Sequence, residues 1–315
     1  MSKKIVVMGG SGFIGSNLCR KLLENSDNKI ICIDNFYSSS IDNILDLLPN
    51  SNFTFIEKDI NDKSILDISI NNIDEIYHLA CPASPKLYQK EPIFTLDTNY
   101  IGTKNVLELA RIHNSKILLA STSEIYGDPL VDEQCEEYWG NVNSYGPRSC
   151  YDEGKRIAET LFREYHMKYN LRTRIVRIFN TYGPYMNKND GRVVSNFINQ
   201  ALENKFITLY GDGLQTRSFC YITDLLSGII LLMASDINSP VNIGNPNEMT
   251  MIDLAEQIVG LTNSHSKIIY LHLPKDDPKK RKPSIIKAQD NLNWKPNINI
   301  RTGLINTINY YKSLV

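Results

Sequence analysis

Seven residues near the start of the chain constrain its fold more than any others: Gly9-Gly10-Ser11-Gly12-Phe13-Ile14-Gly15. They follow an apolar run, Ile5-Val6-Val7-Met8, that reads as a buried strand, and they open a helical pattern. Glycines at 9, 12 and 15 permit a tight turn, close approach of a pyrophosphate, and close packing of helix on strand. The helix N-terminus then faces the phosphates. A Gly-rich turn alone is a weak sign, but strand, glycine loop and helix in this order mark a dinucleotide-binding unit.

The same alternation continues for about 180 residues. Apolar runs at 30–34, 53–56, 75–80, 117–120 and 174–179 read as strands, with helical patterns between them, the longest near 92–112 and 151–168. Continuous apolar strands separated by helices imply a parallel sheet covered on both faces. The expected class is α/β: a Rossmann-type doubly wound parallel sheet with a smaller C-terminal substrate-binding lobe. After Tyr182-Gly183-Pro184 the elements become shorter and mixed. The expected boundaries are therefore a nucleotide-binding domain over 1–181 and a lobe over 182–315, with a segment of about 215–240 returning to the first domain.

Asp34 ends the second strand about 20 residues beyond the glycines, where a carboxylate accepts the ribose hydroxyls of a dinucleotide. It would repel a 2′-phosphate, and Asn35-Phe36-Tyr37-Ser38-Ser39-Ser40 carries no Arg or Lys to bind one. The expected cofactor is NAD rather than NADP.

Composition excludes several classes. With 34 Lys+Arg against 35 Asp+Glu there is no basic excess for nucleic acid or a membrane surface. The longest apolar run, residues 228–234, is too short to span a bilayer. The six cysteines form no C-x-x-C pair and read as reduced thiols, and the first strand begins almost at once, so a cytoplasmic protein is expected. The five histidines show no metal-ligand spacing, and no Ser/His/Asp set suggests a hydrolase.

Chemistry in doubly wound folds gathers at the carboxyl ends of the strands. One such end reads Ser121-Thr122-Ser123-Glu124, two hydroxyl types and a carboxylate side by side. As a mere polar strand end, Glu124 would be an uncompensated carboxylate near the core. Further on, Tyr151-Asp152-Glu153-Gly154-Lys155 puts a phenol and an ammonium on one helix face. A phenol titrates near 10, so a phenolate base at neutral pH needs a shift of about 3 units, roughly 4 kcal/mol. One cation about 4 Å away at intermediate dielectric supplies that much. Y-x-x-x-K alone is common on amphipathic helices; its place downstream of the glycine loop and Thr122-Ser123-Glu124 gives it meaning.

These three elements together resemble the extended short-chain dehydrogenase/reductase family. Within that family, H-L-A-C-P-A-S-P, S-T-S-E-I-Y-G-D-P, Y-W-G-N-V-N-S-Y-G-P-R-S-C-Y-D-E-G-K-R, R-I-F-N-T-Y-G-P, N-D-G-R-V-V-S-N-F, G-D-G-L-Q-T-R-S-F and D-D-P-K-K-R-K-P-S-I are similar to the UDP-glucuronate decarboxylase group over nearly the whole chain. The resemblance implies redox-neutral decarboxylation of UDP-glucuronate to UDP-xylose through a UDP-4-keto sugar, with NAD bound. It implies Thr122, Glu124, Tyr151, Lys155 and Arg281 as catalytic residues. It adds Phe13, Ile14, Asn35, Asp59, Ile60, Leu79 and Ala80 to the cofactor contacts, with Tyr151 and Lys155 shared.

By the same resemblance, Asn180 meets the diphosphate and Arg192 and Asn196 lie near the nucleotide. Tyr210 flanks the uracil, while Gln215 and Arg217 hold ribose and phosphate, and Arg281 belongs to the substrate site. In the related sugar-nucleotide 4,6-dehydratases the strand-end triplet is Thr-Asp-Glu, its Asp protonating a departing C6 hydroxyl. Here Ser123 takes that place, as suits a substrate that expels CO2 and not water. A 4,6-dehydratase, a 4-epimerase and a non-catalytic NAD sensor are the alternatives.

The chain departs from the group at Ser38-Ser39-Ser40, where basic residues are usual, at Asp97 for a frequent Lys, and at Cys81 for a common Ser. Neither Asp97 nor Cys81 is expected to touch the catalytic set. A homodimer is expected from apolar residues such as Val106, Leu107, Ile157 and Leu161, in excess of what one sheet face needs.

Overall fold

A computed structural model describes residues 2–272 and 280–314; the Asp276-Asp277-Pro278-Lys279 part of the tail motif lies outside them. Six parallel strands come from the first 178 residues: β1 (Lys4–Met8), β2 (Lys29–Asp34), β3 (Phe53–Glu57), β4 (Glu75–His78), β5 (Lys116–Thr122) and β6 (Thr173–Ile178). Leu79 and Ala80 lie just past the end of β4, and β5 runs on to Thr122.

The tail adds β7 (Thr181–Tyr182), β8 (Ile207–Tyr210), β9 (Thr216–Ser218), β10 (Cys220–Tyr221), β11 (Val241–Ile243), β12 (Glu248–Thr250) and β13 (Ile268–Leu271). Of these, β11 joins the main sheet, giving the order β11-β6-β5-β4-β1-β2-β3 with every pairing parallel. This strand lies just beyond the 215–240 segment expected to return. The others form three small pairs, β7 with β10, β8 with β13, and β9 with β12.

The order reverses between β1 and β4, and at such a switch point a crevice opens outside the strand ends. Side chains alternate across each strand. Ile5, Val7, Ile30 and Cys32 face a core shared with α1 (Phe13–Leu23) and α7 (Ile222–Ala234). Val6, Met8, Ile31 and Ile33 face a second core. That one is closed by α4 (Thr103–His113) and α5 (Ser149–Tyr169). Short α2 (Pro85–Tyr88) and α3 (Pro92–Asp97) precede a wide helical turn, Thr98–Gly102, so the expected 92–112 helix is three joined pieces. The tail contributes α6 (Val193–Leu202), α8 (Met251–Thr262), α9 (Ile286–Leu292) and α10 (Ile300–Lys312).

Of the residues named for the apolar excess, Val106 and Leu107 are fully buried in the second core and Leu161 packs against it, whereas Ile157 is 41% accessible. Ile93, in the same 92–112 segment as Val106 and Leu107, is 69% accessible. Among the described residues no helix is long and apolar enough to cross a membrane, and no group of three or more His, Cys, Asp and Glu could hold a metal ion.

A buried polar network fixes the seventh strand. Arg177 on β6 donates to both carboxylate oxygens of Glu159 on α5, at 3.1 and 2.8 Å, and to the Tyr126 hydroxyl at 2.9 Å. Tyr126 in turn donates to Asn242 on β11 at 2.8 Å. Removing one partner of a buried ion pair strands the other, at about 3–5 kcal/mol. Arg177→Met is therefore expected to lose about that much unfolding free energy. The urea midpoint measures it, and a loss within experimental error would show that the network is not holding β11.

Candidate active site

One cavity of about 1460 Å³ runs along the carboxyl ends of the strands. The glycine loop enters it first, with Gly9, Gly12, Phe13, Ile14 and Gly15 in its wall. Gly9 has φ +76°, and a Cβ there would meet the Ala80 backbone nitrogen at 2.7 Å. A Cβ on Gly15 would run into the Gly9 carbonyl, so the loop folds back on the strand only with glycine at both places. Gly12 has only the Gly9 oxygen nearby, at 3.3 Å, and its other side is open to the cleft. Helix α1 starts directly after it with no side chain capping its first N–H groups. Those donors and the open glycine are what a pyrophosphate requires.

Asp34, Asn35, Asp59, Ile60, Leu79 and Ala80 line the same wall. Asp34 is nearly buried and already engaged: Oδ2 accepts from Ser11 N at 3.0 Å, and Oδ1 accepts from Phe36 N and the Ser39 hydroxyl, each at 2.9 Å. The serine run thus has a local role, closing onto the carboxylate. Lys58, one residue beyond β3, also lines the cavity and had not been expected there.

Thr122, Glu124, Tyr151 and Lys155 meet in the middle of the cavity. Thr122 is the last residue of β5; its hydroxyl accepts from Glu124 N at 3.2 Å and is close enough to the Tyr151 phenol to favour its ionised form. Tyr151 is buried, stacked on Tyr88 with centroids 4.9 Å apart. Burial pushes its phenol up, well beyond the ordinary value, and Cys81 adds to this, while the Thr122 bond and the charge of Arg192 pull down. Lys155 Nζ lies 5.9 Å from the ring centroid and donates to the Ala120 carbonyl at 3.0 Å. Cys81, expected to stand apart, packs against the cluster of Tyr88, Cys150 and Tyr151 and accepts from Asn99 Nδ2 at 3.2 Å.

Glu124 is not an uncompensated carboxylate. Its Oε2 accepts from Arg148 Nη2 at 2.6 Å and from Arg281 Nη2 at 2.9 Å. Burial pushes the carboxyl up, but the two guanidiniums more than offset it and hold it at about 2. Arg281, itself 2% exposed, also donates to the Gly127 carbonyl. Its position is set by Gln134, which clamps Lys282 and Ser284 through backbone and side-chain bonds of 2.9 Å. Arg148 escaped the sequence reading, although it sits one helical turn ahead of Tyr151 and Glu124 called for a cation.

Asn180, just past β6, and from the tail Arg192, Asn196, Tyr210, Gln215, Arg217 and Arg281 all reach the cavity. Arg192 pairs with Asp190 at 3.2 Å. Gln215 donates to the Tyr210 carbonyl at 2.7 Å, leaving its buried Oε1 without a hydrogen-bond partner. Every residue expected at the site lines this one space.

The architecture defines a nucleotide-dependent enzyme of the doubly wound class. Residues 5–244 match the NAD dependent epimerase/dehydratase family, and the chain belongs to it. It is 50% identical over 301 residues to UDP-glucuronic acid decarboxylase 5 of Arabidopsis thaliana, covering 96% of this chain and 87% of that one. Against UDP-glucuronic acid decarboxylase 1 of Xenopus tropicalis it is 47% identical, over 98% and 72%. The structure of UDP-glucuronic acid 4-epimerase from Bacillus cereus, in complex with UDP-glucuronic acid and NAD, superimposes with a TM-score of 0.89 at 29% identity. That match covers 99% of this chain and 100% of the other.

Asp34 supplies a test of the cofactor end. Asp34→Ala is expected to weaken NAD and to relax the bias against NADP, since the charge that repels a 2′-phosphate is gone. Titrations with both cofactors measure this; equal affinity of the wild type for the two would remove Asp34 as the discriminating residue.

Proposed function

We propose that this protein decarboxylates UDP-glucuronate to UDP-xylose, with NAD bound and regenerated in each turnover. The observation that carries the reading is Glu124 held between Arg148 and Arg281 beside Thr122 and Tyr151, with Ser123 where a dehydratase needs an acid. The division of labour is a nucleotide-binding domain over 1–181 and a UDP-sugar lobe over 182–315, with 222–243 belonging to the sheet side.

The glycine loop, Asp34 and Lys155 would hold NAD, which supplies a hydride acceptor and a positive charge. Tyr151 takes the proton of the C4 hydroxyl, and Thr122 shares the hydrogen bond to that oxygen. Burial opposes the phenolate, so the charge of Arg192 and of the bound cofactor must outweigh it. Oxidation makes C4 a ketone β to the C6 carboxylate. The C5–C6 bond then breaks, CO2 leaves, and the electron pair settles as an enolate on O4, where Tyr151 and Thr122 stabilise it. Arg281 and Glu124 serve C5 and C6. Asn180, Arg192, Asn196, Tyr210, Gln215 and Arg217 grip the UDP, the arginines offering paired donors to phosphate.

Mass analysis after mixing the protein with UDP-glucuronate and NAD tests the reading. Loss of CO2 is expected; loss of water, an isomer of unchanged mass, or no reaction would each overturn it. Glu124→Gln is expected to keep UDP and NAD affinity and to lose at least about 10²-fold in turnover. Near-normal turnover would remove Glu124 from the mechanism.

The same proposal includes a homodimer in the cytoplasm. All six cysteines are free, as suits a reducing compartment. Exposed Ile93, Tyr100, Ile101 and Ile157 sit on α3, the following turn and α5, elements that pack against each other. An apolar face of this kind suits a helical interface between two copies. Sedimentation at micromolar concentration is expected to give the dimer mass, and a monomer would overturn this part.

A further inference from the structure

Behind Glu124 lies a second cavity, of about 220 Å³. Glu124, Arg148 and Arg281 line both spaces and form the wall between them. Asp152 lines only the rear chamber. It is 6% exposed, and its Oδ1 has no hydrogen-bond partner. Polar atoms buried this deeply are nearly always satisfied, so an open acceptor facing a cavity marks a place for water or a proton. The chamber has room for several waters at about 30 Å³ each. Its wall includes Asn141 and Asn143, which are exposed, and neither lines the substrate cleft.

The reaction proposed above consumes a proton. The substrate enters as a carboxylate, CO2 departs neutral, and the C5 carbon of the enolate must gain H+ before the sugar is complete. Glu124 cannot hold that proton in reserve, because two guanidiniums keep it ionised. We propose that Asp152 supplies it. The Asp152 O–H breaks as a Glu124 O–H forms, directly or through chamber water. The Glu124 O–H then breaks as the C5–H bond forms, and solvent reprotonates Asp152. Asp152 is thus a positioning residue for the proton, acting through Glu124 without touching the sugar.

The electrostatics agree with this placement. Burial and the facing charge of Glu124 push the Asp152 carboxyl up from 3.8 to about 7, against the opposing pull of Arg148 and Arg281. Glu153, next along the helix, adds to the rise. Tyr88, Cys150 and, across the chamber, Asp128 are the other titratable groups around it. An aspartate at its ordinary value would be empty at neutrality, whereas this one is partly loaded there. A donor with a raised value carries its proton below that value and loses it above. Turnover limited by this step therefore falls as pH rises through about 7.

The inference rests on the decarboxylase reading, and wild type tested with UDP-glucuronate separates the two. If wild type releases no CO2, that reading fails and the relay with it. If wild type is active, Asp152→Asn decides the relay alone. The variant is expected to bind UDP-glucuronate with unchanged KM and to lose about 10²-fold in kcat. It should also accumulate reduced nicotinamide absorbance, because return of the hydride waits for C5, and it should lack the alkaline fall of kcat. Asp152→Glu should restore most of the rate and shift the alkaline limb. Wild-type kcat in Asp152→Asn overturns the proposal, as does a lowered kcat with an unchanged pH profile and no reduced cofactor. Should Asp152→Asn fail to fold, an alkaline limb that does not move in Asp152→Glu overturns it equally.

Discussion

A single carboxylate oxygen, Oε2 of Glu124, accepts from both Arg148 and Arg281 and so ties together three segments far apart in the chain. One is the end of β5, one the turn that starts α5, and one the tail segment held by Gln134. None of these charges is affordable alone in its surroundings, since an unpaired buried ion costs several kcal/mol. Arg281 is 2% exposed, so its place requires Glu124, and Glu124 on its turn requires the two arginines. The site that joins the sheet to the tail is therefore made of mutually dependent charges, and its geometry is fixed wherever the chain is folded.

The rest of the cavity follows from the parallel sheet. Strands that all point the same way deliver their last residues to one edge, and the reversal between β1 and β4 opens a crevice there. The glycine loop fills one side of that crevice and Thr122 the other. Helix α5 then crosses behind β5 and β6 and places Tyr151 and Lys155 one turn apart above the strand end. Lys155 is anchored on the Ala120 carbonyl, so β5 positions the lysine as well as Thr122. Anchoring in this way keeps the ammonium in the site, one helical turn from Tyr151.

Much of this was legible in the sequence because it depends on local chemistry. The tight turn was legible in Gly9, where a Cβ would strike the Ala80 backbone, and in Gly15, where one would strike the Gly9 carbonyl, and the apolar runs announce strands buried on both faces. Site residues scattered from Gly9 to Arg281 do line one cavity, because each lies at a strand end or on a segment following one. What was not legible depends on long-range pairing. Arg148 and Arg281 are 133 residues apart, and no periodicity links them. Strand β11 is three residues long and looks like any short tail element, its membership in the sheet coming only from pairing with β6. Val106 and Leu107 misled for a related reason: a helix pattern gives the apolar face but not how much of it the second core uses. The Ala120 carbonyl that anchors Lys155 is likewise a partner that no spacing announces.

The balance of charge around Glu124 also bears on why the strand end reads Thr-Ser-Glu. Two guanidiniums without Glu124 would bind a substrate carboxylate tightly, and tight binding of the carboxylate is ground-state binding. It is lost when CO2 leaves, so it raises the barrier it would have to help lower. Glu124 accepts from both and so offsets part of their charge. An acid at Ser123 would add a further negative charge there when ionised, whereas the serine is neutral and buried. On the proposed mechanism, the stabilisation that grows along the reaction would lie at O4, where Tyr151 and Thr122 would meet the developing enolate.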